Sequence, residues 1–187
     1  MKISGQKVIL RDKTLLDAHD NYSWQRDPEL VHLDAAPMLT LTFQEFLIDF
    51  AYELHHPSST NRRFAIETLD GSHIGNCGYY NLDRSRNEAE LGILIGNRAY
   101  WSKGYGTDTV TTLLDYLFRQ LNLKRVHLKT LHSNIRAQKS FRKSGFTPYS
   151  RATREGYDFL LMEITSQRWD EMAMEKEARE PGELSSL

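Results

Sequence analysis

Several short segments of the chain alternate apolar with polar residues or are rich in β-branched and aromatic residues, a pattern typical of β-strands. In the clearest of them, Leu91, Ile93 and Ile95 are spaced two residues apart. Two further segments flank Asp70-Gly71, a pair that tolerates a positive φ and therefore indicates a hairpin turn. The predicted strands are Val8 to Leu10, Arg63 to Thr68, His73 to Leu82, Glu88 to Gly96, Arg125 to Leu131, Phe146 to Arg151 and Tyr157 to Ile164.

Between these strands the apolar residues recur at helical spacing. The longest apolar stripe runs from Val110 to Leu121. Thr42 and Ser133 or Asn134 are residues of the type that begins helices, and Gly145 is of the type that ends them. The predicted helices are Leu15 to Arg26, one that follows Thr42, Gly104 to Leu121, one from Ser133 or Asn134 to Ser144, and Arg168 to Arg179. This order predicts an α+β fold, in which helices cover both faces of a mixed, mostly antiparallel, twisted central sheet.

Composition and charge narrow the class of protein. Of the 187 residues, 40% are apolar and 26% are charged, as in a globular domain. A net charge of -1 gives no electrostatic reason to expect nucleic acid as a partner. No apolar run approaches the roughly 20 residues that span a bilayer, and the first residues lack the apolar core of a signal peptide. The single cysteine, Cys77, excludes a disulfide framework and a multi-cysteine metal site, so we expect a cytoplasmic protein with neither membrane nor metal as a partner.

The acidic residues are concentrated at the end of the chain. Residues 170–187 contain six acidic residues and two basic ones. We therefore expect one domain over residues 1–169 and an acidic tail over residues 170–187. Pro181-Gly182 should end the last helix and leave the final residues frayed.

The segment from Glu90 to Leu121 holds the most informative candidate chemistry. A predicted strand ends there, Gly104-Tyr105-Gly106 follows, and an amphipathic helix begins. The first N–H groups of a helix have no partner within it, and glycines let an anion approach the backbone closely. Lys103 adds a positive charge, so the segment predicts a phosphate or pyrophosphate site. It matches neither a Walker loop nor a dinucleotide fingerprint, and Gly-x-Gly also occurs in ordinary loops.

Two motifs in this half of the chain resemble those of the GCN5-related N-acetyltransferase (GNAT) superfamily. The first is similar to the acetyl-coenzyme A loop, and Trp101 matches the branch that contains the ribosomal-protein N-terminal and spermidine acetyltransferases. It reads Ile95-Gly96-Asn97-Arg98-Ala99-Tyr100-Trp101-Ser102-Lys103-Gly104-Tyr105-Gly106-Thr107-Asp108. The second is similar to the family's Asn-x-x-Ala…Tyr-Glu-Lys-x-Gly-Phe helix and reads Asn134-Ile135-Arg136-Ala137-Gln138-Lys139-Ser140-Phe141-Arg142-Lys143-Ser144-Gly145-Phe146.

The resemblance implies an acetyl-CoA-dependent transferase with a role for each matching position. N–H groups from Ser102 to Thr107 would hold the pyrophosphate, the backbone of residues 94–96 would pair with the pantetheine arm, and Asn134 would bond its amides. Ala137 would leave room for the arm. The residues assigned to coenzyme A are Leu94, Ile95, Gly96, Trp101, Ser102, Lys103, Gly104, Tyr105, Gly106, Thr107, Asn134, Ala137 and Phe141.

The family usually transfers the acetyl group by direct attack of a neutral amine in a ternary complex, which requires a base near the amine. Glu90 is the candidate catalytic base, because the family often uses a carboxylate on this strand; alternatively it points outward as an ordinary polar strand residue. Glu88 is the second candidate. Phe141 departs from the family pattern, because a tyrosine that often protonates the thiolate aligns there. The alternative function is therefore a non-catalytic, acyl-CoA-binding regulatory module.

The acceptor is not specified by the sequence. A primary amine of a small molecule or a peptide N-terminus fits equally: a protein N-terminus, an amino sugar or aminoglycoside, or a polyamine. Asp34 could attract a cationic amine, and His132 could contact the substrate. Tyr79, Tyr80 and Asn81 could line the pocket or, alternatively, be core or sheet-surface residues. Cys77 is read as a packing residue. The protein is expected to be a monomer or a homodimer.

Overall fold

The computed structural model describes residues 1–179 and contains, within that range, one sheet of eight strands in the order β1-β2-β3-β4-β5-β6-β8-β7. The strands are β1 Lys2–Ser4, β2 Val8–Asp12, β3 Arg62–Thr68, β4 His73–Asp83, β5 Glu88–Ile95, β6 Arg125–Leu131, β7 Thr147–Arg154 and β8 Tyr157–Thr165. Neighbouring strands are antiparallel except for β5 and β6, which are parallel. The predicted α+β fold is confirmed. The sequence prediction missed the short strand β1.

Helices pack on the sheet as the periodicity predicted. They are α1 Ala18–Gln25, α2 Pro28–Leu33, α3 Phe43–His55, α4 Tyr105–Asp115, α5 Ile135–Lys143 and α6 Ser166–Arg179. Thr42 caps α3 by accepting a hydrogen bond from the Glu45 N–H. Helix α2 was not predicted; Asp27 accepts from two backbone N–H groups at its start and Pro28 occupies its first turn.

The apolar stripe of α4 forms the centre of the larger core. Val110, Leu113, Leu114 and Leu117 are fully or almost fully buried against the sheet. The predicted single helix from Gly104 to Leu121 is divided, because residues 116–120 form one π-helical turn after α4 ends. A smaller core lies between α1 and α3 and contains Ala18, Phe46 and Phe50.

The parallel pair β5 and β6 is hydrogen-bonded only at its beginning. Pairing joins Glu88, Ala89 and Glu90 to residues 125–127 and stops there. Beyond Glu90, β5 continues beside β4 while β6 continues beside β8, so the sheet opens between them. This opening is the feature of the fold that creates a ligand site.

Helix α6 crosses the expected boundary between domain and tail. Trp169 lies 6.1 Å from Phe118 between ring centroids, and Met172 packs against the larger core. The division at residue 169 stays a prediction, and the expected frayed end and its Pro181-Gly182 stop lie outside the described residues. Within residues 1–179, no helix combines the length and apolar character needed to cross a membrane.

Candidate active site

A cleft of about 850 Å³ fills the opening between β5 and β6. Helices α1 and α2 and the loop after α2 cover it on one side, and α4 and α5 border it on the other. Most of the residues assigned from the sequence line this one cleft. Those that line it are Glu90, Leu94, Ile95, Trp101, Ser102, Gly104, Gly106, Thr107, Asn134, Ala137 and Phe141.

One end of the cleft is formed by residues 102–107, called here the N–H loop. Among residues 1–179, no backbone or side-chain acceptor is bound by the N–H groups of this loop. Ser102 and Gly104 have positive φ angles of 58° and 90°. Residues in left-handed conformation between right-handed ones turn successive N–H groups to one side and form an anion-binding concavity. The loop therefore fits a pyrophosphate at the start of α4.

The N–H loop is held in place by the turn between β1 and β2. The Asp108 carboxylate accepts hydrogen bonds from the backbone N–H groups of Gln6, Lys7 and Val8 at 3.1, 2.7 and 3.0 Å. The Lys7 ammonium donates to the Lys103 carbonyl at 3.1 Å. A Cβ on Gly5 would lie 2.6 Å from the Asp108 carboxylate, so only glycine permits this approach. The sequence prediction missed this support, because the two segments are a hundred residues apart.

Two residues of the N–H loop, Lys103 and Tyr105, do not line the cleft, and neither does the assigned residue Gly96. The Lys103 side chain is exposed and contributes its carbonyl to the contact with Lys7. The Tyr105 ring packs edge-on against Tyr100 at 5.0 Å. Both contribute backbone to the N–H loop.

The edge of β5 that faces the cleft leads from the N–H loop towards Glu90. A Cβ on Gly75 would lie 2.1 Å from the Leu94 carbonyl oxygen, so this carbonyl points towards β4. The Ile95 carbonyl points into the cleft and accepts a hydrogen bond from Trp101 Nε1 at 2.7 Å. Because successive peptide groups of a strand face opposite edges, Ile93 shares the orientation of Ile95. Ile93 also lines the cleft, and the sequence prediction missed it.

Gly96 and Trp101 shape the same edge. A Cβ on Gly96 would lie 2.2 Å from the ring of Trp24, so glycine lets that indole cover the end of β5. The Arg136 guanidinium lies 3.2 Å from the centroid of the Trp101 ring. This stacking and the bond to Ile95 fix the indole at the side of the cleft.

Helix α5 presents the second motif to the cleft. The Asn134 side-chain oxygen accepts from the Ala137 N–H at 3.2 Å and caps the helix. The Ser140 and Thr107 hydroxyl oxygens lie 3.0 Å apart and join α5 to α4. Phe141 is 6% exposed, packs against Phe146 and places a ring without a hydroxyl at the cleft.

Glu90 stands where β5 and β6 separate. Its carboxylate accepts a hydrogen bond from Asn81 Nδ2 at 3.1 Å and lies 3.6 Å from the Lys129 ammonium. The alternative outward orientation is thus not adopted, since Glu90 lines the cleft. The second candidate base, Glu88, is bound to Arg125 at 2.9 Å and does not line the cleft.

Beyond Glu90 the cleft is bordered by Asp34 and Tyr80. Surrounding protein atoms raise the pKa of the Asp34 carboxyl to about 6, although part of the side chain faces solvent in the cleft; Lys129 and Arg63 oppose the rise. The Tyr80 ring lies across Gly92, where a Cβ would approach it to 2.8 Å. Sequence reasoning identified both residues as candidates, and the structure brings them to one side of the cleft.

Two other candidates lie elsewhere. His132 is exposed and borders a separate, smaller depression beside β7, so it does not contact the cleft. Cys77 is buried in the larger core, and burial raises the pKa of its thiol. It is a packing residue, as expected. Within residues 1–179, no cluster of potential metal ligands is present.

Comparison with known proteins decides the family. Residues 7–147 match the model of the acetyltransferase (GNAT) domain, which is more than half of the chain. The chain belongs to the GNAT family. The resemblance read from the two motifs is thereby confirmed, and this GNAT protein is an acetyl-CoA-dependent N-acetyltransferase.

Individual relatives agree with this assignment. An uncharacterized N-acetyltransferase, p20, of Bacillus licheniformis is 27% identical over 171 residues, 88% of this chain and 96% of that protein. The spermidine N(1)-acetyltransferase of Escherichia coli K12 is 31% identical over 96 residues, about half of each chain (51% and 50%). The structure of spermidine N-acetyltransferase from Vibrio cholerae with CoA and spermine has a TM-score of 0.77 at 20% identity, covering 87% of this chain and 97% of that one. That likeness shows the fold.

Proposed function

We propose that this GNAT protein moves the acetyl group of acetyl-CoA to a primary amine of a small molecule by direct attack while both substrates are bound. One observation carries the proposal: at one end of a single cleft lies the N–H loop, whose N–H groups bind no acceptor within residues 1–179, and the Glu90 carboxylate lies where the two strands separate. A phosphate-rich cosubstrate and a base for the amine therefore meet in one space.

At the first end, the N–H loop would hold the pyrophosphate of acetyl-CoA. The arm would run along β5 from Ile95 to Glu90, a length of roughly 17 Å for five extended residues. Peptide groups of Ile93 and Ile95 would pair with it as an added strand does. Ala137 and Phe141, which line the cleft from α5, would border the arm.

At the other end, Glu90 would accept the proton of the attacking ammonium directly or through one water molecule. Asn81 and Lys129 hold its carboxylate in the orientation observed. A β5 N–H group that faces the cleft would stabilise the negative oxygen of the tetrahedral intermediate.

The leaving thiolate receives no proton from Phe141, which has no hydroxyl. A thiol with a pKa near 8.5 leaves without an enzymic acid at a tolerable rate. Water in the open cleft would supply the proton. We therefore expect a functional enzyme with a moderate turnover number.

Two observations support a small-molecule acceptor. Relatives of this chain are spermidine acetyltransferases, and α1 and α2 cover the cleft. Calorimetric titration with acetyl-CoA, followed by thiol release with polyamines, aminoglycosides, amino sugars and a short peptide, tests the proposal. Tight binding with release on a small amine supports it. Binding without release on any amine would favour the regulatory module, and release on the peptide alone would assign a protein acceptor.

A further inference from the structure

The acceptor side of the cleft contains two cations that acetyl transfer itself does not require. Lys13 directly follows β2 and Arg63 lies on β3. The two strands pair up to Asp12 and Phe64, so Lys13 and Arg63 are the next cross-strand neighbours. Both side chains line the cleft. Together they are called here the basic pair.

Lys13 is a charge without a compensating carboxylate. Its ammonium donates to the Asn21 side-chain oxygen at 2.8 Å and lies 4.8 Å from the centroid of the Phe50 ring. Within residues 1–179, no carboxylate lies at ion-pair distance from it. Burial and the positive charge of Arg63 lower its pKa to about 8, while Asp17 and Glu53 oppose the change. A half-buried cation of this kind costs stability unless an anion arrives.

Arg63 retains donors for a ligand. Its Nη1 binds Glu53 at 2.9 Å in an ion pair that is half exposed on both sides. A guanidinium has five N–H donors in a planar fork, so the remaining ones can bind a carboxylate or phosphate. The guanidinium also lies 5.8 Å from the centroid of the Tyr80 ring, which orients it along the cleft.

A polar acceptor without a partner lies beside the basic pair. Asn76 Nδ2 donates to the same Asn21 oxygen that Lys13 binds, at 2.9 Å. Its own side-chain oxygen is buried and accepts no hydrogen bond within residues 1–179. A ligand N–H or O–H would satisfy this oxygen.

The charges on this side are therefore divided. Glu90 and Asp34 lie towards the opening of the strands, and Lys129 lies 3.6 Å from Glu90 and neutralises it in part. Arg63 lies near enough to Asp34 to oppose the rise of its pKa, whereas Lys13, the cross-strand neighbour of Arg63, has no carboxylate at ion-pair distance within residues 1–179. A polyamine carries positive charge along its whole length and would place an ammonium beside Lys13, whose charge no carboxylate pairs with within residues 1–179.

We propose that the acetyl acceptor is a small amine that also carries a carboxylate or phosphate group, and that Lys13 and Arg63 bind that anionic group. Glu90 and Asp34 then receive the amino end, which places it at the point where β5 and β6 separate. The inference rests on the proposed function and adds the class of substrate. It predicts a preference opposite to that of an enzyme for spermidine.

Matched pairs of amines test the proposal, because the members of each pair differ by one anionic group. Lysine is cadaverine with a carboxylate, and glucosamine 6-phosphate is glucosamine with a phosphate. Thiol release from acetyl-CoA is measured for all four with the full chain. We expect kcat/KM to be at least about tenfold higher for an anionic member than for its partner, the value of one charge-assisted hydrogen bond. The pair with the larger ratio of kcat/KM values shows whether the bound anionic group is a carboxylate or a phosphate.

The variant Lys13→Met keeps the apolar stem against Phe50 and removes the charge. We expect about a tenfold increase in KM for the anionic amine, little change for the partner that lacks the anionic group, and unchanged affinity for acetyl-CoA. Lys13→Glu should reverse the preference towards the diamine. Lys176→Met, an exposed substitution on α6, is the control and should change none of these values.

The outcomes distinguish a failure of the proposed anion site from a failure of the proposed acetyl transfer. Turnover that favours cadaverine and glucosamine, or a loss in Lys13→Met that is equal for both members of a pair, would overturn the basic pair as an anion site. Acetyl-CoA binding without turnover of any amine would instead contradict the proposed transfer function. A structural role for Lys13 predicts a lower melting temperature of Lys13→Met near neutral pH, whereas a functional cation predicts an equal or higher one.

Discussion

The two ends of the cleft are built in different ways. The N–H loop comes from six consecutive residues, and its shape depends on the left-handed conformation of Ser102 and Gly104. The acceptor side combines the end of β2, strands β3 and β4, and the loop after α2. A ligand site made from one segment can be read from a local motif, while a site made from four segments exists only in the folded chain. In the proposed function, the first end binds the cosubstrate that the family shares, and the second binds this protein's own acceptor.

The largest expected effect separates binding from chemistry. Glu90→Gln keeps the shape of the side chain and removes the base, so kcat should fall about 10²- to 10³-fold while the Kd for acetyl-CoA is unchanged. Steady-state thiol release and calorimetry measure the two quantities. Glu88→Gln is the matched control, because Glu88 is on the same strand but is bound to Arg125 outside the cleft. An equal loss of kcat in both variants would show that Glu90 is not the catalytic base.

The second prediction concerns the N–H loop. Gly104→Val places a β-branched residue at a φ of 90° and should weaken acetyl-CoA binding about 100-fold, the value of one or two charge-assisted hydrogen bonds. Gly71→Val is the control, because Gly71 has a φ of 89° with open space around it and lies in the β3–β4 turn. Both variants should lose similar stability in thermal unfolding. Equal Kd values for acetyl-CoA in the two variants would refute the assignment of the loop.

The third prediction uses the pH dependence of stability at the acceptor side. Burial raises the pKa of Asp34 to about 6, so the favourable neutral form is lost as the pH rises through 6. The gain in melting temperature from Asp34→Asn should therefore be larger at pH 8 than at pH 4. Asp27→Asn should show the opposite trend, because hydrogen bonds from Arg98 lower the pKa of Asp27. A pH-independent difference for Asp34→Asn would contradict the raised pKa of that carboxyl.

The smallest expected effect is at the thiolate. Phe141→Tyr adds a hydroxyl at the cleft and should raise kcat by no more than about tenfold, below the usual range for an acid, because thiolates leave readily. The alkaline limb of the kcat profile should shift with it. Phe146→Tyr is the control, because Phe146 is 2% exposed in the core and does not line the cleft. If kcat and its pH profile stay unchanged in Phe141→Tyr, the ring does not face the sulfur.

Prediction from sequence succeeded where the determining residues are local. The side chains of Thr42 and Asn134 cap the starts of two helices, as predicted. Gly145 ends a helix with a positive φ of 95°, also as predicted. The alternation of Leu91, Ile93 and Ile95 correctly identified β5. Fold class and family followed from these signals together with the two motifs.

Prediction from sequence failed where contacts between distant segments determine the structure. The clamp of Asp108 on the β1–β2 turn joins residues a hundred positions apart. The edge of β5 that faces the cleft is determined by its register with β4, so Ile93 was overlooked. The proximity of Lys13 to Arg63 likewise depends on the pairing of β2 with β3. No pattern within either segment carries that information.

The most direct test of the account is whether both substrates occupy the cleft together. Initial rates of thiol release, measured while acetyl-CoA and an accepted amine are varied independently, distinguish a ternary complex from a covalent acetyl-enzyme. The described residues offer no activated thiol in the cleft, because Cys77 is buried and its pKa is raised. The account predicts double-reciprocal lines that intersect. Parallel lines would contradict it, because they would require the acetyl group to leave coenzyme A before the amine binds.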